Sequence, residues 1–192
     1  MASPSMGYVT PADYLAWERG IETRNEYHDG KIVALPSGNW PHNLIMSNLI
    51  YQFSTQLRGR PCEAFAITMR LRIPARNLYL YADLAAVCGT PQFEDSATDT
   101  LLNPTLLVEV LSPASENYDR GKKFAHYRTL PSLSEYLLIS QDEYRIDYYR
   151  READGLWFIG DARGFDATLP LVIGGGCTLA LADIYEEGAL PG

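Results

Sequence analysis

The chain has 192 residues, 46% of them hydrophobic and 21% charged, which is the composition of an ordinary globular protein with one substantial core. Its net charge of −8 argues against a protein that binds nucleic acid over its whole surface, because phosphate contacts require Lys and Arg. Any contact with nucleic acid must therefore be local. No run of apolar residues approaches the roughly eighteen that a membrane helix needs. We therefore expect one soluble domain covering residues 1–192.

The N-terminus and the cysteines bear on the cellular compartment. The first residues lack the basic region and apolar block of a secretory signal, which predicts a cytoplasmic protein. Cys62, Cys88 and Cys177 are too few and too widely spaced for a disulfide framework or a thiolate metal site. We expect them to be reduced core residues.

The first third of the chain carries the patterns of two helices and a hairpin. A capping box, Thr-Pro-Ala-Asp at residues 10–13, predicts a short helix to about residue 19. An Asp-Gly pair, favoured in tight turns, predicts a hairpin of strands 24–28 and 31–35. Apolar residues at helical spacing predict an amphipathic helix over residues 41–57.

Apolar segments suited to strands dominate the rest of the chain. The centre contains three of them, over residues 63–74, 78–87 and 105–111, and a helix follows to about residue 130. Beyond Pro131 we expect a strand at 136–140, a hairpin of 144–151 with 156–161, and one more strand with a short helical end within 168–186. Helices interleaved with apolar strands predict an α/β domain, with a mixed β-sheet flanked by helices on both faces.

Two stretches of the sequence concentrate positive charge. Arg70, Arg72 and Arg76 alternate along a predicted strand, and the residues 120–128 hold two arginines and two lysines around a predicted helix. These are candidates for a local nucleic-acid contact, and ordinary solvated strand and helix faces are the alternative.

Glu109 and Asp83 are carboxylates on apolar strands. In residues 105–111, Leu107, Glu109 and Leu111 share one face, and the other face is apolar too. A buried ionised carboxylate costs several kcal/mol unless a cation or strong donors compensate it. If the strands of Asp83 and Glu109 are adjacent, the two carboxylates offer the oxygen ligands that Mg²⁺ or Mn²⁺ prefers. The alternative for each is a helix cap or an arginine pair.

The predicted helix after residue 115 places Asp119, Lys123 and Tyr127 on one stripe at i, i+4 spacing. Lys123 can thus point back toward the strand of Glu109. An ammonium beside a scissile phosphate can orient the attacking water and offset developing charge. The alternative for Lys123 is an ion pair with Asp119 within the helix.

In order along the chain, several short motifs resemble the Uma2 family, also called DUF820, which is classed with the PD-(D/E)XK restriction-endonuclease-like superfamily. They are Glu26-Tyr27-His28-Asp29-Gly30, Pro41-His42, Tyr81-Ala82-Asp83-Leu84, Val108-Glu109-Val110-Leu111-Ser112-Pro113, Asp119-Arg120-Gly121-Lys122-Lys123 and Glu135-Tyr136-Leu137-Leu138-Ile139. The resemblance implies a metal-dependent endodeoxyribonuclease. It further implies Asp83 and Glu109 as metal ligands, Lys123 as the helper of the attacking water, and Glu26 as an additional acidic ligand or base.

The sequence departs from the superfamily pattern at two positions. Ala82 stands where that pattern has proline, and Leu111 stands where it has the third motif residue, lysine. Lys123 can replace that lysine only if its side chain reaches the same volume. His42 lies on the apolar face of its predicted helix, where it either approaches the site or takes a core or capping role, and we expect the core or capping role.

Two hypotheses follow. The first is a Mg²⁺- or Mn²⁺-dependent hydrolase that cuts DNA. The second is a nuclease-fold module that no longer cuts and acts in binding or assembly. The aromatic C-terminal hairpin offers a homodimer surface, or it packs on its own core.

Overall fold

The computed structural model describes residues 7–66 and 69–185. The strands form a five-stranded and a six-stranded sheet. Two long apolar runs of the sequence, residues 63–74 and 78–87, each contribute one strand to each of these sheets. A separate two-stranded ribbon lies near the C-terminus. None of the helices in the described ranges is long and apolar enough to cross a membrane.

The five-stranded sheet has the order β2-β1-β5-β4-β7. Its strands are β1 (Asn25–His28), β2 (Lys31–Ala34), β4 (Arg70–Ile73), β5 (Leu78–Leu80) and β7 (Thr100–Leu101). The predicted first hairpin is confirmed, with Asp29 and Gly30 both at the positive φ that its turn requires. Helix α1 (Pro11–Glu18) packs on this sheet through Tyr14. The Thr10 side chain accepts a hydrogen bond from the Asp13 N–H, as the capping box predicts.

The six-stranded sheet has the order β11-β10-β9-β8-β6-β3, and only β8 and β9 are parallel. Its strands are β3 (Cys62–Ala66), β6 (Leu84–Cys88), β8 (Leu106–Val110), β9 (Glu135–Ile139), β10 (Arg145–Arg151) and β11 (Trp157–Arg163). Helix α2 (Trp40–Gln56) covers one face together with the ribbon β12 (Thr168–Leu171) and β13 (Cys177–Ala180) and the short helix α5 (Leu181–Ile184).

The other face of this sheet meets the five-stranded sheet and a helical segment. That segment consists of α3 (Glu116–Tyr118), a π-helical turn (Asp119–Lys123) and α4 (Phe124–Tyr127). Apolar side chains from both sheets and from α4 form the core between them. The prediction of an α/β fold with mixed sheets flanked by helices is confirmed.

Three of the predicted strands were wrong in extent or number. Residues 63–74 and 78–87 each form two strands that lie in different sheets, and residues 67 and 68 fall outside the described ranges. Residues 168–186 contain two strands, because the turn at Gly174-Gly175-Gly176 folds β13 back on β12; residue 186 is outside the described ranges. Apolar composition reports burial but does not reveal which sheet buries a strand.

The expectation of reduced cysteines was also wrong, because Cys62 and Cys88 form a disulfide. The two residues are direct partners in the antiparallel pair of β3 and β6, which brings their Cα atoms within 4.0 Å. Cys177 is free and buried, as expected. The cysteines therefore give no support to a reducing compartment.

Candidate metal and nuclease site

Asp83 lies at the bend where the chain passes from β5 to β6. Its N–H donates to the carbonyl of Val108 at 3.0 Å, and its Oδ2 accepts from the N–H of Val110 at 2.8 Å. Strands β6 and β8 are antiparallel neighbours with Leu84 opposite Val108. The strand register therefore places Asp83 beside Glu109. This adjacency is the condition under which the two carboxylates can share a metal ion.

Glu109 is buried on β8, with only 4% of its surface exposed. Its Oε1 lies 2.8 Å from Nζ of Lys123 and accepts a hydrogen bond from the Tyr127 hydroxyl at 3.0 Å. Both partners come from the helical segment that follows β8. The buried carboxylate thus has the compensating cation and donor that its apolar strand demands.

The π-helical turn places Asp119 and Lys123 on the side that faces β8. Lys123 Nζ lies 3.6 Å from Asp119 Oδ1 as well as 2.8 Å from Glu109. The predicted stripe is therefore correct. Lys123 both points toward Glu109 of β8 and pairs with Asp119 within the helical segment, so the two alternatives for this residue occur together. Single π turns inside helices are frequent at functional sites.

A cavity of about 250 Å³ opens where these side chains meet. Asp83, Glu109 and Lys123 all line it, together with the N-terminal turn of α2 and the segment after β8. Its other lining residues include Arg24, Asn39, His42, Ser112, Ser115, Asp119 and Gln141. The carboxylates of Asp83, Glu109 and Asp119 and the ammonium of Lys123 therefore share one solvent-connected space.

The ring of His42 contacts this site, so the alternative that the sequence left open occurs in place of the expected core or capping role. The backbone N–H of His42 donates to the N-cap Asn39 at 3.0 Å, whereas its Nε2 lies 3.4 Å from Oδ1 of Asp83. The ring also packs so closely on Gly38 that a Cβ there would lie 2.6 Å from it. Helical spacing placed His42 on the buried side of α2 but could not show that this end of the helix meets Asp83.

Glu26 is buried on β1 but is not among the residues that line the cavity. Its Oε1 accepts from the N–H of Tyr81 at 3.2 Å, and its Oε2 lies 3.0 Å from Nε2 of His28. The charge of Glu26 nevertheless raises the pKa of Lys123. A ligand or base role for Glu26 stays a prediction.

Burial and neighbouring charges together set the electrostatics of the site. Burial raises the pKa of Glu109 well above its usual value and raises that of Asp119, and neighbouring carboxylates raise both further, whereas the charge of Lys123 lowers them. Burial would also raise the pKa of Asp83, but His42, Lys123 and the Val110 N–H hold it below its usual value. Burial would lower the pKa of Lys123, but Glu109 and the other carboxylates raise it, so the ammonium stays charged.

These residues fit a hard divalent cation. Mg²⁺ is usually bound through one or two carboxylates, with waters and substrate phosphates completing its coordination. Asp83 and Glu109 supply that number on one cavity wall, and the surplus of carboxylates over cations favours an added positive charge. Within residues 7–66 and 69–185, no three His, Cys, Asp or Glu side chains form a complete metal-binding group.

Two further residues shape the site and were not singled out as site residues by the motifs. Gln141 lines the cavity, and its Nε2 donates to the carbonyl of Leu111 at 2.6 Å. Gln141 follows β9, which is parallel to β8, so the ends of the two strands lie at the same edge. Arg24 lines the cavity from the start of β1. Neither position carries a local pattern that reveals it.

The chain is similar to known proteins over most of its length. The model of the Uma2 family, described as "Putative restriction endonuclease", matches residues 11–182. Two uncharacterised proteins of Synechocystis sp., sll1609 and slr1290, are 33% and 36% identical over 161 and 159 residues. These alignments cover 84% and 82% of the chain and 91% and 83% of the relatives.

A solved structure shares the fold. It is the crystal structure of "a putative nuclease belonging to DUF820" from Anabaena variabilis, with a TM-score of 0.74 at 20% identity. The match covers 92% of the chain and 97% of that structure.

Proposed function

Because the chain belongs to the Uma2 family, we propose that it is a Mg²⁺- or Mn²⁺-dependent endonuclease that hydrolyses the phosphodiester bonds of DNA with an activated water. The observation that carries the proposal is the convergence of Asp83, Glu109 and Lys123 on one cavity. Each residue comes from a different element, so their meeting is a product of the fold.

Asp83 and Glu109 would hold the metal ion, which supplies a Lewis acid and a more acidic bound water. The backbone N–H of Val110 fixes the carboxylate of Asp83, and the Tyr127 hydroxyl fixes that of Glu109. Such support keeps the ligand oxygens oriented when substrate enters.

Lys123 would take the role of the lysine that Leu111 does not provide. Leu111 is buried in the core between the sheets, whereas the Lys123 ammonium reaches Glu109 in the cavity wall. From there, the ammonium would stabilise negative charge on the scissile phosphate and orient the attacking water. For Glu26 we propose a supporting role as an acidic group beside Lys123.

Cleavage of plasmid DNA with Mg²⁺, Mn²⁺ or EDTA tests this proposal. We expect cutting that requires the metal ion and falls at least about 100-fold in Asp83→Asn and Glu109→Gln, since each removes charge directed at the reacting centre. Glu135→Gln is the matched control, because Glu135 is a buried carboxylate on the neighbouring strand β9 that binds the N–H groups of Val172 and Ile173.

Melting temperatures of all variants separate lost folding from lost chemistry. Cleavage that is equal in the wild type, Asp83→Asn and Glu109→Gln would reject the proposed site, and so would cleavage that persists in EDTA.

The second candidate function is a nuclease-fold module that binds without cutting. The ion pair of Lys123 with Glu109 favours it, because an ammonium held by a ligand carboxylate is less available to a substrate. Calorimetry with Mn²⁺ distinguishes the two: metal binding that is lost in Asp83→Asn counts against the inactive module.

Assembly and location complete the proposal. The hairpin of β10 and β11 exposes Phe158 and Ile159 on an edge strand, which supports a homodimer formed through that hairpin. A homodimer would carry two sites, an arrangement that suits double-strand cleavage. The cytoplasmic location stays a prediction.

A further inference from the structure

The fold separates the cations of the two basic sequence stretches into two groups. Four of them form ion pairs with carboxylates: Arg70 with Asp99, Arg72 with Glu94, Arg120 with Glu116 and Asp147, and Lys123 with Glu109. Within the described ranges, the other three, Arg76, Lys122 and Arg128, belong to no ion pair, and all three are exposed. Their charge is therefore available to a partner.

Arg76 and Lys122 both act on His126. Lys122 precedes His126 by one helical turn, and Arg76 lies two residues before Leu78, which pairs with His28 of β1. Burial lowers the pKa of the His126 ring, the positive charges of Arg76, His28 and Lys122 lower it further, and the charge of Glu26 opposes them. The helical segment, the turn before β5 and β1 thus each carry a basic side chain whose charge acts on His126.

Lys31 adds a further exposed cation, because it is the partner of His28 across the hairpin. We call His28, Lys31, Arg76, Lys122 and His126 the basic cluster. Two acids border the cluster: Glu26 binds His28 and the Tyr81 N–H, and Asp29 accepts from Asn77 at 2.8 Å. The permanent positive charge of the cluster comes from Lys31, Arg76 and Lys122, which are all exposed.

Polar atoms in the same region lack partners. In the part of the chain that the structure describes, Nδ1 of His126 and the hydroxyl of Tyr118 are buried without a hydrogen-bond partner. The Tyr118 ring centroid lies 6.3 Å from that of His28. Buried polar atoms are nearly always hydrogen-bonded, so both atoms keep an unused capacity for a hydrogen bond in this region.

The basic cluster lies beside the cavity. Tyr118, Lys122 and His126 occupy the helical stripe next to that of Asp119 and Lys123. Along β1, His28 is four residues from Arg24 of the cavity wall, which is about 13 Å at the rise of a strand. A DNA strand whose scissile phosphate enters the cavity would bring phosphates a few nucleotides away to this position.

On the premise of the proposed nuclease function, we propose that the basic cluster binds the phosphate backbone of DNA beside the cleavage site. Arg76 and Lys122 supply the ionic contacts, and His126 supplies a hydrogen bond. Contacts of this kind position a duplex without reading its sequence.

Binding of a fluorescein-labelled 30-base-pair duplex, measured by anisotropy in EDTA over a series of salt concentrations, tests the inference. Each lost phosphate contact makes the plot of log K against log salt less steep by about 0.9. We expect this change in Arg76→Ala and in Lys122→Ala. Arg58→Ala is the control, because Arg58 is exposed and follows the C-terminal end of α2, a helix whose N-terminal end lines the cavity.

The outcomes separate this inference from the proposed function. Salt dependence that is the same in the wild type, Arg76→Ala and Lys122→Ala overturns the inference even if the protein cuts DNA, and so does an absence of binding by the wild type. Binding that weakens in these two variants but not in Arg58→Ala supports it even if no cleavage is found.

Discussion

Lys123→Met isolates the contribution of the buried ammonium, because methionine retains most of the side-chain volume but no charge. The wild-type ammonium contacts Glu109 at 2.8 Å and Asp119 at 3.6 Å. Removing one partner of a buried ion pair costs about 3 to 5 kcal/mol, because the other charge is left uncompensated. Glu109 can relieve part of that cost by taking up a proton, since burial already raises its pKa. We therefore expect a loss near the lower limit, about 3 kcal/mol at pH 7.

The neighbouring residue provides the control. Lys122 is exposed and, among the described residues, has no ion pair, so Lys122→Met should change the free energy of unfolding by no more than about 0.5 kcal/mol. Urea unfolding followed by circular dichroism measures both. With a slope of about 2 kcal/mol per molar urea, Lys123→Met should lower the midpoint by about 1.5 M. Equal midpoints for the two variants would refute the claim that the ion pair of Lys123 stabilises the fold.

Two further predictions concern stability away from the cavity. Asp99 pairs with Arg19 of the α1 end and with Arg70 of β4, and the hydrogen bond from Arg19 holds the pKa of Asp99 well below its usual range although burial opposes this. The ionised Asp99 therefore contributes its full stabilisation above the unfolded-state pKa of about 4 and loses it as the pH falls through the lower folded-state pKa. The difference in the free energy of unfolding between wild type and Asp99→Asn, measured by urea titration, should narrow below about pH 4. A difference that stays constant down to about pH 2 contradicts this. The disulfide of Cys62 and Cys88, which are 26 residues apart, restricts the unfolded chain, so its reduction should lower the free energy of unfolding by about 3.5 kcal/mol. The melting temperature in dithiothreitol measures this, with loss of the bond verified by mass spectrometry. An unchanged melting temperature would count against the prediction.

The sequence alone determined the elements whose causes are local. The capping box at Thr10, the Asp29-Gly30 turn and the apolar spacing of α2 each predicted a confirmed helix or hairpin. Alternation along β8 correctly placed Glu109 on an interior face and required a compensating partner for it. These features depend on residues within a few positions of one another, so the chain itself records them.

Only the tertiary structure decided which strands are neighbours and which side chains meet. Residues 78–87 look like one strand, yet the chain changes sheets at Asp83, and that bend is what places the carboxylate in the cavity. The contact of His42 with Asp83 and the pairing of Cys62 with Cys88 likewise join distant positions. Hydrophobic periodicity encodes how deeply a residue is buried, but it carries no information about the identity of the residue that it packs against.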